Sequence, residues 1–527
     1  MGLLLKCLKG HSILEVLENN LLGLINFIKN NLFFHLALIS IWLSPYFIFY
    51  EQNFGQITFL NTLQPLFLLI FLFSLVFLSL FLSIKIFPNQ RLFLFASAII
   101  MSIGVMNFDF IYFELIRNNV ETFIESYMFE DIFFQTLFFL FLLISILFFK
   151  FSLKFYFFKN FILFCCIFGL IVPCAQLFFK IANDKSSIYF SYESELYKTK
   201  AEISSLNRNV YFVILDGYAS RETFKNMKKN NDNFYAYLQN NEFKFLGNKA
   251  AFNTTYLSLA SIFNLDYAVE EDDKRYTNRK NFFPLLLRAK NQAPLIKELS
   301  KIKYTLTFFG NTWSGCYSNH VECGFLPQDF LTNESFVLFS ETALKFFFNL
   351  FRSYQYDAIS NFLSTNYEIE ERNSSFTFIH QLSPHDPYLQ DDCITLTKNL
   401  SSNDYMTSVK CVNLKVRELI YTLNQKDPSA IIVIQSDHGP DTDVDWFPSN
   451  EDLTENAIKS KLGIINVIKS PEKCKKWLLD DLGPINTTRF ILGCLSQQEP
   501  AYLEEKTFIG FYENHIDFGL IKRHIHQ

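Results

Sequence analysis

Residues 430–439 read Ala-Ile-Ile-Val-Ile-Gln-Ser-Asp-His-Gly, and the fold of the C-terminal half turns on them. Ile431, Ile432, Val433 and Ile434 form an unbroken aliphatic run between polar residues, which predicts a strand buried on both faces, as in the middle of a parallel sheet. Asp437 and His438 then fall at its carboxyl end. Open α/β sheets place their chemistry there, because the loops leaving the strand tips line a crevice. A carboxylate beside an imidazole is a good pair of metal ligands, and Gly439 lets the backbone turn away.

Residues 209–218, Asn-Val-Tyr-Phe-Val-Ile-Leu-Asp-Gly-Tyr, share this design and end in Asp216 and Gly217. Taken singly, Asp-Gly after a strand is most often a tight turn, and a lone Asp-His-Gly carries little weight. A parallel sheet, however, brings the tips of its strands to one edge, which makes Asp216, Asp437 and His438 a candidate metal site.

Outward from these two strands, further strands are expected at 243–246, 304–309 and 376–379, with helices at 221–239, 294–301, 341–361 and 404–423. Strands alternating with helices predict an α/β domain over 183–527 whose mostly parallel sheet is covered on both faces. Six cysteines lie in this half, and pairing of sequence neighbours (316 with 323, 393 with 411, 474 with 494) is the simplest of their fifteen connectivities. With no Cys-x-x-Cys, a zinc cluster is disfavoured.

The first third is of another class. Half of the 527 residues are hydrophobic, 64 of them Phe, and they concentrate at the amino-terminal end. Five segments, 32–50, 66–84, 92–108, 132–149 and 161–179, approach the length of about 20 apolar residues that a bilayer requires. Residues 1–30 instead carry apolar positions at helical spacing, which suggests an amphipathic helix along the membrane surface. Lysines and arginines cluster before the first span (Lys6, Lys9, Lys29), after the second (Lys85, Arg91) and after the fourth (Lys150, Lys154, Lys159). By the positive-inside rule the amino terminus is cytoplasmic, residues 31–182 form a five-span membrane domain, and everything after Lys180 lies outside. Asp109 falls near the outer interface, and Pro45, Pro65 and Pro173 read as span-end or kink positions. A net charge of -5 gives no reason to expect a nucleic-acid partner.

Two further stretches complete a pattern: Asn-Thr-Thr-Tyr-Leu-Ser-Leu-Ala-Ser-Ile-Phe-Asn at 253–264 and His-Gln-Leu-Ser-Pro-His-Asp-Pro-Tyr at 380–388. With Leu-Asp-Gly-Tyr and Ser-Asp-His-Gly, in this order, they resemble the sulfatase branch of the alkaline phosphatase superfamily. Within that branch the likeness is to membrane-anchored enzymes such as lipoteichoic acid synthase and the phosphoethanolamine transferases. The resemblance spans 209–490, including Gly-Pro-Ile-Asn-Thr-Thr-Arg-Phe at its end.

It implies an alkaline phosphatase/sulfatase-like α/β sandwich. It also makes Asp216, Asp437 and His438 ligands of a divalent cation (Zn, Mn or Mg), with Thr255 as both ligand and nucleophile. His385 matches the family histidine that contacts the phosphate or protonates the leaving oxygen. The implied reaction carries a phospho-headgroup of phosphoethanolamine or phosphoglycerol type from a membrane phospholipid, through a phosphothreonine, to an envelope glycan or lipid. The implied location is a bacterial plasma (inner) membrane, multi-pass, with the C-terminal domain periplasmic or extracellular.

Each residue has a plainer reading. Thr255 could cap a helix, Thr254 could replace it as nucleophile, and Asn253-Thr254-Thr255 fits a glycosylation sequon. His385 could be a turn residue between two prolines, and His380 a structural partner; Asn486 and Arg489 could mark an ordinary helix start. The Cys/Ser-x-Pro-x-Arg context from which sulfate-ester hydrolases make formylglycine is missing, which points to phosphoryl chemistry, and no further Asp/His set stands out for a second cation. The alternatives are a sulfatase-like hydrolase of phosphate or sulfate esters and a catalytically silent envelope assembly protein on the same fold.

Overall fold

The computed structural model describes residues 31–52, 63–108, 156–182, 206–268, 293–310, 321–323, 357–365, 375–385, 388–397, 401–440, 454–514 and 517–523, with scattered positions in 29–30, 140–151 and 335–344. Almost all of the expected amphipathic helix at 1–30, most of the span at 132–149, Asp109 and Cys316 of the first cysteine pair lie outside the described residues. The chain forms two compact units, the first made of Met1–Phe54, Phe59–Lys185 and Glu334–Phe351, the second of the remainder.

In the first unit, helices α1 (Leu32–Gln52), α2 (Leu63–Ile86) and α4 (Tyr156–Ala182) are long and apolar enough to cross a membrane. Helix α3 (Arg91–Met106) has 16 residues, slightly less than the expected span. Phe34 of α1 stacks on Phe95 of α3 at 4.1 Å, and Trp42 Nε1 donates to Ser102 Oγ at 3.0 Å, so these two polar groups satisfy each other within the apolar interface. The Arg91 guanidinium meets Asn31 at one end of the unit, and Lys180 meets Glu51 at 2.7 Å at the other. Helices α1, α3 and α4 therefore run the same way. Pro65 sits in the first turn of α2, where a missing N–H is tolerated, whereas Pro45 and Pro173 lie inside their helices.

The second unit is built on a seven-stranded sheet. Its strands are β1 (Val210–Leu215), β2 (Lys244–Phe245), β3 (Thr305–Phe309), β4 (Val321–Cys323), β5 (Ser375–Gln381), β8 (Ile431–Gln435) and β9 (Asn466–Lys469), in the spatial order β2-β9-β8-β1-β5-β3-β4. From β8 to β4 every pair is parallel; β9 runs antiparallel to β8, and β2 antiparallel to β9. Two small hairpins, β6–β7 (Tyr388–Leu389 with Leu396–Thr397) and β10–β11 (Phe508–Asn514 with Asp517–Arg523), complete the described strands.

Strand β1 is buried along its whole length and alternates between two cores. Val210, Phe212 and Ile214 pack with helices α7 (Thr255–Asn264), α8 (Pro294–Lys301) and α12 (Pro484–Ser496). Tyr211, Val213 and Leu215 pack with α5 (Arg221–Asn226), α6 (Asp232–Asn240), α9 (Ala358–Ser364) and α10 (Ser402–Lys426). A helix α11 (Glu455–Leu462) precedes β9. At about 1.5–3 kcal/mol per fully buried aliphatic side chain, each sheet face contributes many times the net stability of a domain, which explains why the strand pattern was legible.

Some expected elements differ. The helix expected at 221–239 is two helices, because Lys228 adopts φ 56° and the Asn230 side chain accepts the Asp232 N–H at 2.8 Å. In place of one helix over 341–361, residues 342–344 belong to the first unit and α9 begins afresh where Asp357 accepts the Ser360 N–H at 3.1 Å. Disulfides Cys393–Cys411 and Cys474–Cys494 are formed as expected, closing loops of 18 and 20 residues, a constraint worth about 3 kcal/mol each.

Candidate metal centre

Register brings the chemistry together. Ile214 of β1 lies opposite His380 of β5 on one side and Gln435 of β8 on the other. Asp216, His380 and the pair Asp437–His438 therefore leave three adjacent parallel strands at the same edge, as the parallel-sheet reading required. All four are buried.

The His438 ring is oriented by its own backbone turn. Its Nδ1 donates to the Gly439 carbonyl at 2.7 Å, which leaves the Nε2 lone pair facing inward. Gly439 tolerates no side chain, since a Cβ there would strike the Ser460 carbonyl. From Nε2 the distances are 3.1 Å to Thr255 Oγ1, 3.5 Å to Asp216 Oδ1 and 3.6 Å to Asp437 Oδ2. Ligands at about 2.0–2.1 Å from a tetrahedral ion sit about 3.3–3.4 Å from one another, so the two carboxylate spacings match a ligand shell, while the Thr255 contact is also of hydrogen-bond length. Asp216 Oδ1 and Asp437 Oδ2 are also buried and have no hydrogen-bond partner among the described residues. Unpartnered buried carboxylate oxygens cost several kcal/mol unless a cation meets them, and the donor set fits a divalent one.

The remaining lone pairs hold the acids in place. Asp437 Oδ1 accepts the Gly217 N–H at 3.2 Å, made possible by φ 68° at Gly217, and Asp216 Oδ2 accepts from His380 Nε2 at 3.2 Å. Burial pushes the Asp216 carboxyl up, but His385, the His380 hydrogen bond and His438 together outweigh it and hold the group below the usual carboxylate range. Two overlapping triplets, Asp216–His385–His438 and Asp216–His380–Asp437, keep their ligand atoms within 4.8 Å of one another. His380, expected as a structural partner, is thus in direct contact with the acid cluster.

Thr255 opens α7, and its hydroxyl is turned onto His438, not back onto the helix. The cap position belongs to Thr254, whose side chain makes no capping bond and whose Oγ1 has no partner among the described residues. Asn253 is engaged with the C-terminal hairpin, exchanging hydrogen bonds with Gly510 at 3.1 and 2.9 Å. Half-buried His385 stands beside Gly217, its ring 5.8 Å from that of His438. Asn486 and Arg489 do not reach the centre: Arg489 donates to the carbonyls of Leu265 and Ala501, and Asn486 to Leu503 and Glu505.

Sequence reading missed two residues that shape the site. The Ser436 hydroxyl accepts the Tyr218 N–H at 2.8 Å and donates to the His438 carbonyl at 2.6 Å, joining the two ligand loops. Tyr405 on α10 donates to the Gly217 carbonyl at 2.9 Å and accepts the Ala219 N–H at 2.9 Å, which closes the turn that aims Asp216. Burial raises the Tyr405 phenol well above its ordinary pKa, so it stays a donor. Ser436 lay inside a motif already singled out; Tyr405 carries no local signal. Helix α10 also holds the loop after His385, through Ser408 to Leu389 N–H at 3.3 Å and through the Cys393–Cys411 bond.

The sulfatase family model matches residues 208–480, more than half of the chain. The protein belongs to the sulfatase family. It is accordingly an enzyme of the alkaline phosphatase superfamily, of sulfatase or phosphotransferase type, carrying apolar amino-terminal helices. Similar solved structures include the integral membrane protein lipooligosaccharide phosphoethanolamine transferase A from Neisseria meningitidis (13% identity, covering 88% of this chain and 95% of that one, TM-score 0.40). The C-terminal periplasmic domain of EcEptC from Escherichia coli is another (14%, 61% and 94%, 0.37), as is that of phosphoethanolamine transferase EptC from Campylobacter jejuni (13%, 55% and 88%, 0.37). No curated protein matches the chain by sequence.

Proposed function

We propose that the protein is a metal-dependent phosphotransferase that takes a phospho-headgroup, of phosphoethanolamine or phosphoglycerol type, from a membrane phospholipid onto Thr255 and passes it to an envelope glycan or lipid. The observation that carries this reading is the Thr255 hydroxyl at the first turn of a helix, 3.1 Å from His438 Nε2, which itself lies 3.5 and 3.6 Å from two carboxylate oxygens that no hydrogen bond accounts for. In this reading Asp216, Asp437 and His438 hold the divalent cation, with Thr255 Oγ1 as fourth donor. When bound, that cation lowers the pKa of the Thr255 hydroxyl and offsets charge on the phosphoryl oxygens.

The chain's own groups do the rest. With its hydroxyl proton released to solvent, Thr255 Oγ1 forms the bond to phosphorus while the bond from phosphorus to the diglyceride oxygen breaks, and His385, entering the step protonated, gives its proton to that departing oxygen. The N–H groups at the start of α7 face the phosphate, where a helix amino terminus favours an anion. In the second half the acceptor hydroxyl attacks phosphorus, His385 takes its proton, and the threonine–phosphorus bond breaks. Anchorage by amino-terminal helices in a bacterial plasma (inner) membrane, with the amino terminus cytoplasmic and the catalytic unit periplasmic or extracellular, keeps the lipid donor at high effective concentration.

The test is mass spectrometry of the Thr255 peptide after detergent-solubilised protein is incubated with phosphatidylethanolamine or phosphatidylglycerol and a divalent cation. A phosphoryl adduct at Thr255, with diglyceride release that depends on an added acceptor, is expected. Release without an acceptor supports the hydrolase. If no adduct forms, and Thr255→Ala leaves cellular function intact, the silent assembly role replaces both.

A further inference from the structure

Residues Glu334–Phe351 lie in the C-terminal half of the sequence, yet they belong to the first unit, with the membrane helices. They read Glu-Ser-Phe-Val-Leu-Phe-Ser-Glu-Thr-Ala-Leu-Lys-Phe-Phe-Phe-Asn-Leu-Phe. Three charges in 18 residues disfavour a transmembrane span, and the apolar content is high for a solvated loop. Ser335, Leu338, Phe339 and Thr342 are buried.

Two hydrogen bonds show where the segment sits. Ser335 Oγ donates to Gln64 Oε1 at 2.9 Å, in the first turn of α2, and the Ala343 N–H donates to the Val105 carbonyl at 2.8 Å, in the last turn of α3. Helix α3 has a reason to need this. Its 16 residues extend about 24 Å, against about 30 Å of hydrocarbon, so a helix that starts at one interface ends below the other. Carbonyls of a last turn have no partner within their own helix, and at membrane depth they require a protein donor. Ala343 supplies one to Val105.

We infer that the stretch carrying Ser335, Leu338, Phe339 and Thr342–Leu344 is re-entrant: the C-terminal half of the chain sends it back to the membrane helices, where it docks on the ends of α2 and α3 and seals the short third helix. This rests on α1, α2 and α4 spanning the bilayer and not on the reaction proposed above. Beyond Lys185 the chain therefore passes between the two units twice more, before Glu334 and after Phe351.

Thiol cross-linking of the full chain in intact membranes with a short bis-maleimide, which bridges residues whose side-chain tips meet, tests it. Ser335→Cys with Gln64→Cys, and separately Ala343→Cys with Val105→Cys, are treated with it and the linked peptides are read by mass spectrometry. Glu51→Cys with Lys180→Cys, at the ion pair of the same unit, reports full linkage. Most of each docking pair is expected to move into the linked peptide, whereas Ser335→Cys with Arg91→Cys, a residue at the opposite end, stays unlinked. Linkage of the control pair, with both docking pairs no more linked than the Ser335 and Arg91 pair, overturns the proposal.

Discussion

Two polar clusters of the second unit show what a buried polar group is for. Around Asn486, Arg489 and Glu505, side chains end on backbone or on each other: Asn486 Nδ2 on the Leu503 carbonyl and on Glu505 Oε1, Arg489 on the carbonyls of Leu265 and Ala501, and Glu505 Oε1 under the Gly483 N–H at 2.7 Å. Around Asp216, Asp437 and His438, hydrogen bonds from the surrounding scaffold reach the outer lone pairs; of the inner atoms only His438 Nε2 and Thr255 Oγ1 lie within hydrogen-bond distance, and Asp216 Oδ1 and Asp437 Oδ2 have no hydrogen-bond partner among the described residues. Both clusters are polar, and both contain residues visible in motifs, Asn486 and Arg489 in the first and all three in the second. Only the second leaves a shell of donors facing inward, which separates a site from a fastening.

Asp437→Asn presses hardest on this contrast. With a divalent cation at about 100 times its Kd, the wild-type protein gains about 2.7 kcal/mol of unfolding stability. The variant is expected to lose most of that gain while its metal-free form is at least as stable as wild type, because a buried negative charge beside Asp216 is removed. Melting curves with and without chelator read both quantities. A variant less stable than wild type without metal, with the metal-induced shift intact, makes Asp437 a fastening too.

Tyr405→Phe sharpens the comparison by acting one step back from the ligands. It removes the hydroxyl that closes the Gly217 turn, so cation affinity is expected to fall about tenfold, the low end of what orienting residues contribute. Metal titration followed calorimetrically measures it. Unchanged affinity alongside lost stability confines Tyr405 to packing.

The smallest effect belongs to the fastening. Glu505 is exposed as a residue, but its Oε1 is tucked beneath Gly483 and Asn486, and partial burial raises its carboxyl above the ordinary range despite those donors. A raised acid favours the folded state when protonated. Its contribution is therefore full below the unfolded pKa and lost as pH rises through the folded one. Exposure keeps this small. Glu505→Gln retains a carbonyl oxygen for Gly483 and is expected to flatten that slope in urea unfolding between about pH 4 and pH 7, with no change in cation binding. A slope that persists in the variant assigns it elsewhere.

Much of the sheet was legible because burial on both faces leaves a strong local mark. The run 431–434 and the run 210–215 became adjacent strands, and their terminal acids met at one edge. Short strands left no such mark. Asn466–Lys469 pairs through a few residues on the antiparallel side, and its selection depends on neighbours β8 and β2. The helix expected over 221–239 failed for the converse reason, since local asparagine chemistry at 230–232 overrode an amphipathic pattern.

By itself the sequence determined the class of the protein: apolar helices first, an α/β unit after them, and four ordered motifs of ligand-type residues, because periodicity and composition act within a few residues along the chain. Tertiary structure alone decided that Thr255 faces His438 instead of capping its helix, that Tyr405 reaches across from α10 to close the Asp216 turn, and that residues 334–351 belong with the membrane helices. These are matters of distance between positions up to hundreds of residues apart, and only packing brings such groups within reach of one another.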